Sequence, residues 1–233
     1  MDIPVLSCEG LSKSYGQESV IEGLDLVLSK GETVGLLGPN GSGKTTLIKL
    51  IAGLLTPTSG KIEICGLPPS AATCGIISYL PDRNALPLDM CAHELVNLYE
   101  RMFADFDREK AEALLNDLRV STVKRMKALS KGTREKIQLI LTVSRKARLY
   151  LLDEPIGGVD PATRDYILKT VLTARAPEST ILFATHLIAD VEMHLDSFLF
   201  FSEGKIVESG NVSAYKEACG TTLDEAFRRM FQC

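Results

Sequence analysis

The sequence predicts an α/β fold with a mostly parallel sheet, an N-terminal antiparallel β portion and an inserted α-helical subdomain. Three observations predict it. Short apolar runs of strand length, Thr33–Leu37, Leu149–Leu152 and Thr180–Ala184, alternate with segments of helical period. Their uninterrupted apolar character suits strands covered on both faces, as in parallel sheets. Between the strands lies a block of roughly 60 residues whose periodicity is helical throughout.

The elements follow in order. Leu24, Leu26 and Leu28 alternate with Asp25 and Val27, the pattern of a half-buried strand. Lys30-Gly31-Glu32 makes a turn into the strand Thr33–Leu37, which Gly38-Pro39-Asn40-Gly41 ends. Leu47, Ile48, Ile51 and Leu55 predict a helix over Lys44–Leu55, closed by Pro57. Lys61–Ile64 and Ile76–Leu80 read as strands. In the helical block, Glu94–Phe103 sets Leu95, Leu98, Tyr99 and Met102 on one face, and Arg108–Leu118 does the same with Ala111, Leu114, Leu115 and Leu118. Glu135–Val143 continues the pattern with Ile137, Ile140 and Leu141. Asp160-Pro161 starts a helix, with Asp at the N-cap and Pro at the first helical position. Glu203-Gly204 joins Phe198–Phe201 to Lys205–Val207 as a hairpin, and Val212–Cys233 reads as one or two short helices.

A chain of 233 residues can bury a substantial core in one domain or two small ones. The 26 Lys and Arg against 30 Asp and Glu leave a net charge of −4, which argues against a strongly basic nucleic-acid binder, so no nucleic acid is expected as a partner. No stretch approaches the roughly 20 apolar residues that span a bilayer, and no secretory signal is visible at Met1-Asp2-Ile3-Pro4. Cys8, Cys65, Cys74, Cys91, Cys219 and Cys233 are scattered, without a CxxC pair, and read as reduced thiols rather than zinc ligands.

Gly38-Pro39-Asn40-Gly41-Ser42-Gly43-Lys44-Thr45 fits GxxxxGK[ST] between a strand and a helix, the context of a P-loop NTPase. Glycines let successive backbone N–H groups curl toward a phosphate, and the helix N-terminus adds partial positive charge. Lys44 brings a full charge to the β- and γ-phosphates and Thr45 a hydroxyl to Mg²⁺, with Thr46 a further binding candidate. The second piece is Leu149–Leu152 followed by Asp153-Glu154-Pro155, an apolar strand that carries two carboxylates to the edge where open α/β sheets bind ligands. Asp153 suits Mg²⁺ held through its hydration shell, and Glu154 suits acceptance of a proton from the attacking water.

These motifs and those between them resemble the ATP-binding-cassette (ABC) ATPase family along nearly the whole chain. Tyr15 looks like the family's adenine-stacking aromatic residue. Tyr79-Leu80-Pro81-Asp82 falls at the glutamine loop, and Leu129-Ser130-Lys131-Gly132-Thr133 at the LSGGQ signature. Asp153 and Glu154 match Walker B and the catalytic glutamate, Asp160 the aspartate loop, and His186 the switch histidine. Taken singly, Ser130 and Asp160 are also ordinary helix caps, and His186 an ordinary histidine; their collective order carries the resemblance.

The resemblance implies one ABC ATPase domain over 1–233. Residues 1–81 and 146–210 form its RecA-like and β core, 82–145 its helical subdomain and 211–233 a C-terminal helical tail. It implies two cassettes paired head to tail, as homodimer or heterodimer, each ATP lying between one subunit's phosphate loop and the other's Ser130, Lys131, Gly132 and Thr133. Asp160 would communicate across the dimer, and Lys44, Glu154 and His186 would be catalytic. The implied partner is a separate transmembrane permease subunit, with the chain peripheral on the cytoplasmic face of the membrane.

Three departures stand out. Asp82 replaces the glutamine and becomes a further candidate toward Mg²⁺. Lys131 and Thr133 replace a glycine and the glutamine of the signature. Ile156-Gly157-Gly158-Val159-Asp160 lacks the serine expected after Pro155. A slow but working Mg-ATPase is expected. The signature and Thr222–Phe227 look similar to bacterial exporter-type ATPases, although Leu223–Phe231 reads equally as a plain amphipathic helix. The alternative is a soluble ABC ATPase acting in remodelling or assembly. A third class, a non-hydrolysing ATP sensor, is opposed by Glu154 and His186, while Asp82 and Thr133 leave it open.

Overall fold

A computed structural model of the chain describes residues 3–157 and 161–231. Three strands, β1 (Leu6–Tyr15), β2 (Glu18–Leu28) and β4 (Ser59–Ile64), form an antiparallel sheet in the order β2-β1-β4. The second sheet holds β3 (Thr33–Leu37), β5 (Ile77–Leu80), β6 (Leu149–Asp153), β7 (Thr180–Thr185), β8 (Ser197–Ser202) and β9 (Lys205–Asn211), in the order β5-β6-β7-β3-β8-β9. Its first five strands run parallel, and β9 returns antiparallel to β8.

Every residue of β3, β6 and β7 is buried, because both sheet faces are covered. Leu36, Leu151, Leu182 and Phe201 face the antiparallel sheet and α1 (Lys44–Ile51). Leu37, Leu152, Phe183, Phe198 and Phe200 face α6 (Pro161–Ala174), α7 (Ile188–Val191), α8 (Val212–Cys219) and α9 (Leu223–Phe231). The period-two alternation of side chains thus divides the apolar residues between two cores. A short helix, α2 (Ala71–Cys74), precedes β5.

The central block contains α3 (Ala92–Met102), α4 (Arg108–Asp117), a 3₁₀ turn at Met126–Ala128 and α5 (Lys131–Val143). Leu95, Val96, Ala111, Leu115, Met126, Ile137, Ile140 and Leu141 make its core. Helix α5 belongs to two cores, since its Leu139 and Val143 pack with the large sheet.

Two expectations need correction. The first helix ends at Ile51 rather than Leu55, because Gly53 turns left-handed (φ +72°) just beyond the cap at Ala52. The buried face of α3 is Ala92, Leu95 and Val96, while Met102 is 61% exposed. Leu95 and Tyr99 of the expected face do pack into the block, joined by Ala92 and Val96 while Met102 turns outward. The hairpin at Glu203-Gly204 forms as expected, with both residues at positive φ (49° and 74°), as a two-residue I′ turn requires. A Cβ on Gly204 would lie 2.1 Å from the Val20 carbonyl oxygen, and the Gly204 N–H donates to the Ser42 carbonyl at 3.0 Å, so this turn braces the phosphate loop. Among the described residues, no helix is long and apolar enough to cross a membrane.

Arg145 ties the helical block to the sheet. Its buried guanidinium donates to both carboxylate oxygens of Asp105 (2.9 and 3.0 Å) and to the carbonyls of Ile77 and Gly75 (2.7 Å each). It also lies 3.8 Å from the centroid of the Phe103 ring. Arg145→Met should cost about 3 kcal/mol in urea denaturation, because it strands two carbonyls and a carboxylate. Asp105→Asn should cost less, since its amide oxygen still accepts.

Candidate active site

The parallel register brings four chain segments to one sheet edge. Leu37 pairs with Thr185 across β3 and β7, and Asp153 with Ala184 across β6 and β7. Strand β5 lies beyond β6, so Asp82 follows it at the same edge. Asn40, Gly41, Ser42, Lys44, Thr45, Asp82, Glu154, Gly157 and His186 line a cavity of about 400 Å³ there, together with Lys131 and Glu135 from α5.

Local backbone geometry explains the phosphate loop. A Cβ on Gly38 would lie 2.1 Å from the Phe201 carbonyl oxygen, so the loop can leave β3 only with glycine here. Gly43, at φ +103°, caps α1 in a conformation that other residues rarely adopt. Lys44 spans the loop interior, its Nζ donating to the carbonyls of Gly38 (2.7 Å) and Pro39 (3.0 Å). Burial lowers the Lys44 pKa, and the nearby Glu154 and Asp153 carboxylates oppose that shift. Thr46 sits half-buried in the first turn of α1, outside the residues lining the cavity.

Glu154 follows β6 at φ +50°, a strained value for a non-glycine residue. Its carboxylate is held from three sides. The Thr185 hydroxyl donates to Oε2 at 3.0 Å, His186 Nδ1 lies 3.0 Å from Oε1, and Lys44 Nζ lies 3.8 Å from Oε1. Thr185 Oγ1 also accepts from the Leu187 N–H at 3.0 Å, so one side chain fixes both the carboxylate and the loop carrying His186. Thr185 is absent from the residues the sequence picks out, although it adjoins His186; only the register shows it facing Glu154.

Asp153 accepts from the Thr45 hydroxyl at 3.1 Å through Oδ1, while its buried Oδ2 has no hydrogen-bond partner among the described residues. Desolvation first, then the neighbouring Asp82 and Glu154 carboxylates, raise its pKa from 3.8 to about 6, against the opposing pull of Thr45 and Lys44. A buried carboxylate oxygen lacking a partner beside a hydroxyl is a hard-oxygen environment that fits Mg²⁺.

The Ser130 side chain caps α5 by accepting from the Thr133 N–H at 3.2 Å, and the two hydroxyls lie 2.8 Å apart. Helix α5 therefore begins at Lys131, a full turn ahead of the Glu135–Val143 pattern. Lys131 pairs with Glu135 at 3.6 Å, and both line the cavity of their own chain. Space beside Gly132 is open. Gln138, also unforeseen, accepts from the Ala85 N–H at 2.8 Å and donates to the Pro81 carbonyl at 3.3 Å, which ties α5 to the loop bearing Asp82. Tyr15 ends β1 and is 49% exposed, with Lys13 Nζ 5.1 Å from its ring centroid. It enters the turn into β2, whose Val20 carbonyl would lie 3.2 Å from a Cβ on Gly43. Asp160 lies outside the described residues.

Fold and site together define an ATP-binding P-loop ATPase. Residues 21–157 match the ABC transporter family, and the chain belongs to it. It is similar to the ABC transporter ATP-binding protein YhaQ of Bacillus subtilis, with 31% identity over 93% of this chain and 74% of the relative. It is also similar to the linearmycin resistance ATP-binding protein LnrL of Bacillus subtilis, with 30% identity over 88% and 69%. The Nod factor export ATP-binding protein I of Ralstonia nicotianae is 30% identical over 89% of this chain and 67% of the relative. A solved ATP-binding subunit of an ABC transporter superposes with a TM-score of 0.88 at 28% identity, covering 97% of this chain and 99% of that one.

Asp153 makes the nucleotide-free chain pH-sensitive. With its folded pKa raised to about 6 from 3.8, the cost of charging it is absent below the lower value and complete once pH exceeds the upper. Asp153→Asn, whose Oδ1 still accepts from Thr45, should stabilise the metal-free chain at neutral pH by about 1–3 kcal/mol. The gain should vanish toward pH 4, as followed by urea denaturation with chelator across pH.

Proposed function

We propose that this chain hydrolyses Mg-ATP at the cavity between its phosphate loop and Glu154, and that it powers a membrane transporter. The observation that carries the hydrolytic reading is the Glu154 carboxylate, held at 3.0 Å by both Thr185 and His186 and 3.8 Å from Lys44. A carboxylate so placed can take a proton from water attacking the terminal phosphate. His186 orients it through Nδ1. Lys44 exchanges the carbonyls of Gly38 and Pro39 for phosphate oxygens, and Asn40, Gly41, Ser42, Gly43 and Thr46 complete the cradle with backbone and hydroxyl donors. Tyr15 stacks on adenine.

Thr45, Asp153 and Asp82 would hold Mg²⁺, which supplies charge neutralisation at the phosphates when bound.

We further propose that two such subunits pair, Ser130, Lys131, Gly132 and Thr133 of each meeting the other's nucleotide and Asp160 relaying between the sites. The N-terminal turn of α5 favours that role, being capped by Ser130 and open beside Gly132. In the division proposed, 1–81 and 146–210 form the catalytic core, 82–145 a helical subdomain and 211–233 a tail.

A permease would dock where core and subdomain meet. Leu54, Cys74, Tyr79, Tyr99 and Phe103 line an apolar groove of about 250 Å³ there. The chain would then sit peripherally on the cytoplasmic face of the membrane. The names of two relatives, one for linearmycin resistance and one for Nod factor export, favour export as the direction.

Glu154→Gln should lower kcat for ATP by about 10²-fold or more while ATP binding persists. An unchanged steady-state rate would refute the role given to Glu154. Lys44→Ala should weaken ATP binding itself. For the transport reading, the tagged chain should co-purify from detergent-solubilised native membranes with a multi-spanning protein in stable proportion. Recovery with soluble proteins alone would favour a remodelling or assembly ATPase.

A further inference from the structure

His186 stands between two cavities. One is the phosphate cavity already described. The other, of about 330 Å³, is lined by Pro39, Asn40 and His186 on one side and by Asp224, Phe227 and Arg228 of α9 on the other. The imidazole is 37% exposed, and among the described residues its hydrogen bond is the one to Glu154. That bond and the surrounding walls keep the ring on Glu154, and α9 supplies the far wall.

The segment that carries His186 is also anchored to α9. Ile188 and Val191 of α7 are buried in one cluster with Leu223, Ala226 and Phe227. Phe227 in turn packs edge-on to Phe200 of β8, at 5.7 Å between ring centroids. After α7, the buried Glu192 carboxylate makes two bonds. Its Oε1 lies 2.5 Å from Lys216 Nζ of α8, and its Oε2 accepts from the Asp224 N–H of α9 at 3.3 Å. Arg228 is paired with Asp224 at 2.9 Å, which keeps its guanidinium engaged on its own helix. Burying a carboxylate is costly unless its acceptors are used, so Glu192 pins α8 and α9 to the backbone six residues beyond His186.

We infer that α9 is part of the hydrolytic apparatus: through Phe227 and Glu192 it holds the His186 loop in the position that engages Glu154, and loosening α9 slows turnover without weakening ATP binding. Phe227 and Glu192 are positioning residues. The kinetic part rests on the proposed ATPase reading; the placement of His186 does not.

Two measurements on the full chain test it. The first is steady-state Mg-ATP hydrolysis by Phe227→Leu and Glu192→Ala, with Glu192→Gln as the conservative variant that keeps an acceptor for Asp224. Phe227→Leu and Glu192→Ala should lower kcat about three- to tenfold with KM within about twofold, and Glu192→Gln should restore most of the rate. The second is imidazole NMR without nucleotide, which is tractable because the chain has only 3 His. In Phe227→Leu and Glu192→Ala the His186 resonances should move while those of His93, on α3, stay in place. If Glu192→Ala does not fold, Phe227→Leu carries both measurements. An unmoved His186, or KM rising as much as kcat falls, would overturn the inference. Should the wild-type chain prove unable to hydrolyse ATP, the ATPase reading fails, and the NMR result still decides whether α9 places His186.

Discussion

Everything at the candidate site depends on the ends of β3, β7, β6 and β5 lying side by side. They run parallel, so the loops that leave them emerge at one edge, and the pairing of Leu37 with Thr185 and Asp153 with Ala184 sets their depth. Side chains alternate with period two, so a one-residue slip of β6 would exchange its two faces. Asp153 and Glu154 would then no longer meet Thr45 and His186. The burial of every residue in β3, β6 and β7 resists that slip, because apolar residues are matched to two different cores. The burial that stabilises the sheet is thus also what aligns the chemistry.

The helical block is attached to this frame at few points, and each has a clear physical character. Helix α5 shares its apolar residues between the block and the sheet. Arg145 joins Asp105 and Phe103 of the block to the backbone entering β5. Gln138 fixes α5 to the loop that carries Asp82. A displacement of the block would therefore be felt at Asp82 and Lys131 together, since one helix carries both connections. Lys131 and Glu135 already line the chain's own cavity, so the charges of the first turns of α5 bear on the site in this conformation.

Much of this was legible in the sequence, for identifiable reasons. The phosphate loop and the Asp153-Glu154 pair are local: spacing and flanking elements are enough to place them on a strand end and a helix start. The hairpin at Glu203-Gly204 is equally local, because its turn needs two positive φ values. What stayed hidden depends on relations between distant segments. Thr185 gains its role only when β7 is laid between β3 and β6, and Gln138 only when α5 meets the loop after β5. One edge of the α3 face stayed hidden because Met102 and Val96 both fit a helical period, and neighbours rather than periodicity chose between them. Helix α1 stopped early because a single left-handed Gly53 outweighed a continuing apolar pattern.

The electrostatics of the site explain why these residues are tolerated despite their cost. Asp153 is buried beside two further carboxylates, and one of its oxygens has no partner among the described residues. Lys44 is buried too, its ammonium satisfied by two loop carbonyls. Glu154 is held at a positive φ. The two buried charges are costly without a ligand, and both would be relieved by a polyanion with its counter-cation: the lysine gains phosphate oxygens, and the carboxylate gains a positive neighbour. Binding energy is therefore strongly linked to the local stability of the site. The surrounding hydrophobic cores make the strain bearable, since they hold the strand ends in place whether or not the charges are satisfied. A site arranged this way is organised before its ligand arrives, which is the condition under which fixed charges act most effectively on a developing negative charge.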